Sequence, residues 1–226
     1  NFLIESSSID IPRLCPACNS KIKQENQSDW EVISSVKNDK VKSFGSKIEA
    51  EYFINFSNKS EYQLKEITNR AAFIKCSSNF TCPEILKGSL THFVSRKAFD
   101  IEGLGQEIIN TLVNLNFIQD QSDIFKLLNH KEKLEQLDGF GKRSINNLLA
   151  SIEKSRSVDL SRLIYSLGIP EVGEATSRNL ANAYLNFDKV QNASFKDLVE
   201  LDDIGSKVAA NIINYFQDTH TTSLLS

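Results

Sequence analysis

Four copies of one short pattern constrain this chain more than anything else in it. An apolar residue, two further positions, a second apolar residue and a glycine recur as Ile101-Glu102-Gly103-Leu104-Gly105, Leu137-Asp138-Gly139-Phe140-Gly141, Ile169-Pro170-Glu171-Val172-Gly173 and Leu201-Asp202-Asp203-Ile204-Gly205. The closing glycines lie 36, 32 and 32 residues apart, a period typical of repeated supersecondary units. Seven residues past each glycine stand Leu112, Leu148, Leu180 and Ile212, and eight past stand Val113, Leu149, Ala181 and Ile213. That phasing predicts one apolar helical stripe per copy, beginning just beyond the glycine. Each unit therefore reads as helix, tight hairpin, helix. The glycine permits either a positive φ or the close approach of a foreign group. The amides that follow it, at the start of a helix, are free to donate, and such a cluster suits a phosphate oxygen. The alternative is an all-α bundle whose glycines only cap helices.

The copies are unequal. The first two carry both glycines, whereas Glu171 and Asp203 replace the first glycine in copies three and four, with Glu174 and Asp202 close by. A carboxylate repels a phosphate, so copies one and two are expected to make the stronger contacts. Lys142 and Arg143 directly follow the second hairpin, and Ser206 and Lys207 take the matching place in the fourth.

Charge argues against a broad cationic face. Residues 1–97 hold 14 Lys and Arg against 11 Asp and Glu, and residues 98–216 hold 12 against 17, within a whole-chain net charge of −3. An acidic repeat region must hold a polyanion through backbone amides and a few local cations. The best local concentration of cations is Arg70, Lys75, Lys87, His92, Arg96 and Lys97, opposed between 70 and 97 by Glu84. It is either a phosphate-contacting patch or an ordinary solvated face. No apolar run approaches membrane-spanning length.

All four cysteines lie ahead of the repeats, as Cys15-x2-Cys18 and Cys76-x5-Cys82. Two such pairs are the usual makings of a tetrahedral zinc site, and four thiolates leave no open position, so the metal is expected to be structural. The 57 residues between the pairs exceed the gap of small zinc knuckles. Each doubling of a loop costs only about 0.6 kcal/mol, against apparent zinc affinities of roughly 10–16 kcal/mol in small fingers. His92 reads as a packing or hydrogen-bonding residue rather than a fifth ligand.

The expected organisation is a connector over 1–14, with a strand at Asn1 to Glu5 and a serine-rich link at Ser6 to Ser8, then a zinc module over 15–84, four hairpin repeats over 85–216, and a tail or linker over 217–226. An insertion at about 28–70 interrupts the zinc module. Within it, Trp30 to Val36 and Tyr52 to Phe56 have strand-like composition, and Lys37 to Lys47 reads as a polar turn. A short strand is expected at Ala71 to Cys76 and a helix over 85–97. Short helices are expected at Ser122 to Leu128, Lys131 to Leu137, Asp159 to Leu167 and Ser194 to Leu201. The fold class is thus mainly α, with tandem helix-hairpin-helix units preceded by a small four-cysteine module whose insertion has β character. The absence of methionine and a start at Asn1 suggest a segment of a longer chain.

The order of these features resembles the C-terminal half of bacterial NAD-dependent DNA ligase. The resemblance is carried by the cysteine pairs, by His92-Phe93-Val94-Ser95-Arg96-Lys97-Ala98-Phe99-Asp100-Ile101-Glu102-Gly103-Leu104-Gly105, and by Leu167-Gly168-Ile169-Pro170-Glu171-Val172-Gly173-Glu174-Ala175-Thr176. It covers residues 10–27 and 71–216, leaving out the insertion. It implies a zinc held by Cys15, Cys18, Cys76 and Cys82. It also implies duplex contacts from the hairpins, placed at Gly103, Gly105, Gly139, Gly141, Lys142, Arg143, Gly173 and Gly205, with Arg96 and Lys97 beside them. The chemistry of that family, adenylation of a lysine in a Lys-x-Asp-Gly motif by NAD with Mg, would lie elsewhere, because no such tetrapeptide occurs here. The implied partner is nicked double-stranded DNA, bound without regard to sequence during replication and repair, by a monomer in the bacterial cytoplasm at the nucleoid. This segment alone would be inactive. Two other readings remain open: a stand-alone hairpin-based DNA-binding accessory, and a protein-interaction bundle with a structural zinc.

Overall fold

The computed structural model describes residues 14–34, 40–44, 46–57, 62–76, 81–218 and 221. The expected strand at Asn1 to Glu5, the serine link after it and most of the tail lie outside these residues.

The chain enters through a knuckle. Cys15 N–H donates to the Ser20 carbonyl at 2.7 Å and Asn19 N–H to the Cys15 carbonyl at 2.8 Å, while Leu14 bridges Lys21. Asn19 takes a φ of 56°, a left-handed conformation that asparagine tolerates better than most residues. Strand β1 (Ile22–Ser34) leaves the knuckle at once and is followed by β2 (Lys40–Phe44), helix α1 (Lys47–Ser57) and β3 (Tyr62–Cys76). The three strands form an antiparallel sheet of order β2-β1-β3. Pairing of β1 with β3 runs from Ile22 opposite Cys76 to Ser34 opposite Tyr62, with irregularities around Asn26.

Two expectations for the insertion are corrected. Lys40–Phe44 is a strand rather than a turn, held by its pairing with β1. Tyr52 to Phe56 lies in α1 rather than in a strand. Tertiary contact overrides the β propensity of these aromatic residues: Ile48 and Tyr52, one helical turn apart, pack against the far core formed by the last two repeats. The Tyr52 ring sits 5.1 Å from that of Phe195, tilted by 51°. The Ser46 hydroxyl accepts from Glu49 N–H at 3.2 Å and secures the helix start.

From Cys82 onward, every helix or strand among the described residues is helical. Helix α2 (Pro83–Phe93) leads to α3 (Gln106–Asn114), a 3-10 helix (Gln121–His130), α4 (Lys131–Leu134) and α5 (Lys142–Ser155). Then come α6 (Leu160–Ser166), α7 (Glu174–Tyr184), α8 (Phe187–Gln191), α9 (Phe195–Val199) and α10 (Ser206–Gln217). Helix α2 stops four residues short of the expected end. The chain doubles back there: Phe99 N–H donates to the Phe93 carbonyl at 3.1 Å and the two rings stack at 4.2 Å. Arg96 and Lys97 consequently sit on an exposed turn instead of a helix face.

The apolar residues divide between two cores. The first gathers Leu90, Ile109, Leu112, Leu134, Ile145 and Leu148 from copies one and two. The second gathers Ile164, Leu180, Val190, Leu198, Ala209 and Ile212 from copies three and four. Full burial of each large aliphatic side chain stabilises by roughly 1.5–3 kcal/mol. The residue seven past each glycine is buried in all four copies, as the phasing requires. Eight past, Val113 and Leu149 are buried, whereas Ala181 and Ile213 are half-buried. None of the described helices is long and apolar enough to cross a membrane.

Candidate nucleic-acid interface

Each of the four hairpins has the same backbone. The middle residue of the turn is left-handed in every copy: Gly103 at φ 86°, Gly139 at 83°, Glu171 at 66° and Asp203 at 63°. Glycine meets this demand without strain. Glutamate meets it only at a cost, and aspartate at a smaller one. The closing glycine is different. Gly105, Gly141, Gly173 and Gly205 are N-caps of α3, α5, α7 and α10 with extended backbones that any residue adopts. Each is exposed, and a Cβ built on it meets nothing within 4 Å. The fold therefore does not require glycine at these four places. A bare backbone there keeps the way open for a group from outside the chain.

The amides behind those glycines are also left uncapped. Elsewhere in the repeats, side chains cap their own helices: Asp120 accepts from Ser122 and Asp123 in a capping box, Asn186 from Asp188, and Ser194 from Asp197. At the four hairpin helices no side chain caps the first turn. Asp159 stands at the N-cap of α6 but makes no such bond. Four exposed helix starts, each behind an open glycine, can present N–H groups to an anion.

The expected cations fall into two groups. Lys142 and Arg143 open α5, are exposed, and make no ion pair among the described residues. Lys97 pairs with Glu174 at 2.9 Å, and Glu174 also holds Arg178 at 2.9 Å. The hydrogen bond from Lys97, and then its charge, hold the Glu174 carboxyl below its ordinary range, and the same contact raises the Lys97 ammonium. Lys207 reaches back to Glu171 at 2.7 Å. The acidic residues of the third copy are therefore neutralised within the protein. The broader patch does not form one face among the described side chains. Lys87 is paired with Glu84 at 2.7 Å, and the His92 Nε2–H donates to the Tyr165 carbonyl at 2.8 Å, so His92 ties α2 to α6. The side chains of Arg70 and Lys75 lie outside the described residues.

Sequence reasoning passed over Arg162. Its guanidinium donates to the Ala98 carbonyl at 2.7 Å and to the Arg96 carbonyl at 2.8 Å, and lies 3.8 Å from Asp100. It thus fixes the turn that carries Arg96 and Lys97. Nothing local in the sequence marks this, because its partners stand more than sixty residues earlier.

The cysteines converge at the other end of α2. The sulfurs of Cys15, Cys18 and Cys82 all lie within 4.8 Å of one another, with Cys15 and Cys82 at 3.9 Å. Cys82 is the buried N-cap of α2, and the backbone of Cys76 ends β3 opposite Ile22, next to the knuckle. The Cys76 side chain lies outside the described residues. Three converging thiols could hold a metal ion.

Residues 162–225 match the family model of the helix-hairpin-helix motif. Repeats, turns and this match define a chain of tandem helix-hairpin-helix units. Over 143 residues it is 45% identical to the DNA ligase of Fusobacterium nucleatum, covering 63% of this chain and 20% of that protein. It is 33% identical over 221 residues to the DNA ligase of Azotobacter vinelandii and 32% over 222 residues to that of Pseudomonas aeruginosa, each covering 98% of this chain and 24% of the relative. The chain spans about a fifth to a quarter of the length of these curated relatives. These likenesses are consistent with the C-terminal part of a bacterial DNA ligase.

Proposed function

We propose that this chain is the DNA-clamping part of an NAD-dependent DNA ligase. Its hairpins hold the sugar-phosphate backbone of a duplex across a nick, without reading bases, while NAD and Mg serve an adenylation domain elsewhere in the enzyme. The observation that carries this reading is the set of four closing glycines, each exposed, unstrained and facing open space. They let a phosphate approach main-chain N–H groups that no side chain caps. Such a grip follows backbone geometry and is indifferent to sequence, as the sealing of nicks during replication and repair demands. Lys142 and Arg143 add charge at the second hairpin.

Zinc is the metal proposed for the thiols. In a tetrahedral site with zinc–sulfur bonds of about 2.3 Å, the sulfurs stand about 3.8 Å apart, and Cys15 and Cys82 stand at 3.9 Å. Cys76 is the proposed fourth ligand. The zinc would fix the knuckle to the start of α2, and so to the first hairpin, as structural support. The enzyme is proposed to work as a monomer in the bacterial cytoplasm, at the nucleoid.

The test is binding of this chain to nicked duplexes of unrelated sequence over a range of salt. The logarithm of affinity is expected to fall linearly with the logarithm of salt, by about 0.9 per phosphate contact. Lys142→Ala and Arg143→Ala should each flatten that slope by about one contact. Absence of binding at low salt would leave a helical scaffold for protein partners, the reading that the acidic repeat region favours. Metal analysis of the purified protein tests the zinc, and a zinc-free folded knuckle would refute it.

A further inference from the structure

The clefts among the described residues differ sharply in charge. One lies between the first hairpin and α5, with Asp100, Glu102 and Asp159 against Lys154 and Arg162. Another, beside the third hairpin, has Glu84, Glu171 and Asp218 and no Lys or Arg. A third, of about 460 Å³, is cationic: Arg96, Lys97, Arg162 and Arg178 line it together with Tyr165 and a single carboxylate, Glu174. In a chain of net charge −3 this concentration calls for an anion.

The cleft also has a distinctive position. Arg96 and Lys97 come from the turn before the first hairpin, Arg162 and Tyr165 from α6, and Arg178 from α7. Its walls therefore belong to both hairpin pairs. Arg162 is committed to the backbone of the turn, and this holds Arg96 and Lys97 at the rim. Glu174, first residue of α7, lies between Lys97 and Arg178 and takes a charge-assisted hydrogen bond of 2.9 Å from each. A carboxylate held by an ammonium and a guanidinium at a helix start uses the same donors that a phosphate would use.

We infer that this cleft is a backbone-phosphate site bridging the two hairpin pairs, and that Glu174 occupies it as an internal substitute until a DNA phosphate displaces it. The inference rests on the duplex-binding reading and deepens it. In the free protein Glu174 keeps the cations paired and ordered. On binding, the phosphate takes Lys97 and Arg178, and the released carboxylate turns to solvent and gathers a counterion of its own. The site thereby favours a ligand that fills both hairpin pairs at once over an isolated phosphate.

The experiment compares wild type, Glu174→Gln, Arg178→Gln and Gly141→Val in the full chain, against a nicked duplex over a salt series, with melting temperature recorded for each. Glu174→Gln keeps the side-chain shape and removes the competing charge. It should bind duplex tighter by up to about fivefold, the effect of one exposed ion pair that no longer has to break. Its salt slope should steepen by less than one phosphate contact, since the loose uptake of a cation by the freed carboxylate no longer offsets the counterions released from the DNA. Arg178→Gln should bind more weakly with a flatter slope. If Glu174→Gln binds no tighter, with an unchanged slope, while Gly141→Val loses affinity, the cleft is not a phosphate site and the hairpin reading stands. If wild type itself fails to bind duplex, both fall together.

Discussion

The two hairpin pairs build the same turn from different chemistry. In the first pair the left-handed position is filled by Gly103 and Gly139; in the second it is filled by Glu171 and Asp203. In the first pair the cations after the second hairpin, Lys142 and Arg143, make no ion pair among the described residues, whereas in the second pair Lys207 is committed to Glu171 and Arg178 to Glu174. The second pair also ties its hairpins across. Asn211, on α10, donates to the Pro170 carbonyl of the third hairpin at 3.1 Å, and Asn179, on α7, donates to the Asp202 carbonyl of the fourth at 3.3 Å. In the first pair Glu102 N–H donates across to the Ser151 hydroxyl, at 2.8 Å. Among the described residues, the insertion packs on the second core, through Ile48 and Tyr52. The difference teaches that one backbone can carry two sets of side-chain commitments. The first pair leaves Lys142 and Arg143 without an ion pair among the described residues, although Lys126 and Arg156 are paired with Asp123 and Glu153; the second pair commits Lys207, at the matching place, and Arg178 to internal bonds.

The sharpest way to break this contrast is at the closing glycines. Gly141→Val should weaken duplex binding by about tenfold or more, or about 1.4 kcal/mol, with little change in melting temperature, because its φ is ordinary and the space before it is open. Gly205→Val should cost less affinity. Equal losses at the two sites, measured by fluorescence anisotropy, would erase the division of labour.

Next in size is the insertion. Tyr52→Ala removes a half-buried ring from the second core and should destabilise by about 2 kcal/mol, toward the low end for aromatic truncation. Hydrogen exchange should show the loss in α9 and α10 and leave α3 and α5 protected. Uniform loss of protection would mean that the two cores unfold as one.

A smaller effect is expected at the turns. Gly139→Ala places a Cβ on a left-handed residue and should destabilise by about 1 kcal/mol, while Glu171→Gly relieves that strain and should be neutral or stabilising by a few tenths. Chemical denaturation would detect the opposite signs.

The smallest effect concerns pH. The hydrogen bond and charge of Lys97 lower the Glu174 carboxyl. A depressed carboxyl stabilises the fold above its unfolded value and loses that contribution as pH falls through its folded one. The same contact raises Lys97, so its contribution holds at lower pH and is lost as pH rises through the raised folded value. The melting difference between wild type and Glu174→Gln should therefore vanish in acid and in strong alkali. It should be slight between them because both groups are exposed. A difference that persists in acid would contradict the ion pair.

Much of the repeat region was legible in the sequence because each unit is local. The pattern names its own turn, and the buried residues seven past each glycine follow from one helical period. The two roles of the glycines could not be separated in advance. Both positions read alike until backbone angles showed that the first answers to the turn and the second to nothing inside the chain. The insertion was misread where tertiary packing decided. Tyr52 to Phe56 has strand composition, yet Ser46-x-x-Glu49 just before it is a helix-start signature that would have announced α1. The pairing of Lys97 and Lys207 with distant acids, and the hold of Arg162 on the turn, join residues thirty-six or more positions apart. No local pattern records such contacts.

The reciprocal asparagines have a geometric consequence. Asn179 reaches the fourth hairpin from the same place on its helix that Asn211 uses to reach the third. Such mutual exchange is the mark of an approximate dyad. A duplex whose strands run in opposite directions possesses dyads of its own. Were the proposed duplex seated with the two axes coincident, each corner would meet its own strand along the same 5′-to-3′ sense. One module would then treat both strands alike, at every step along the helix.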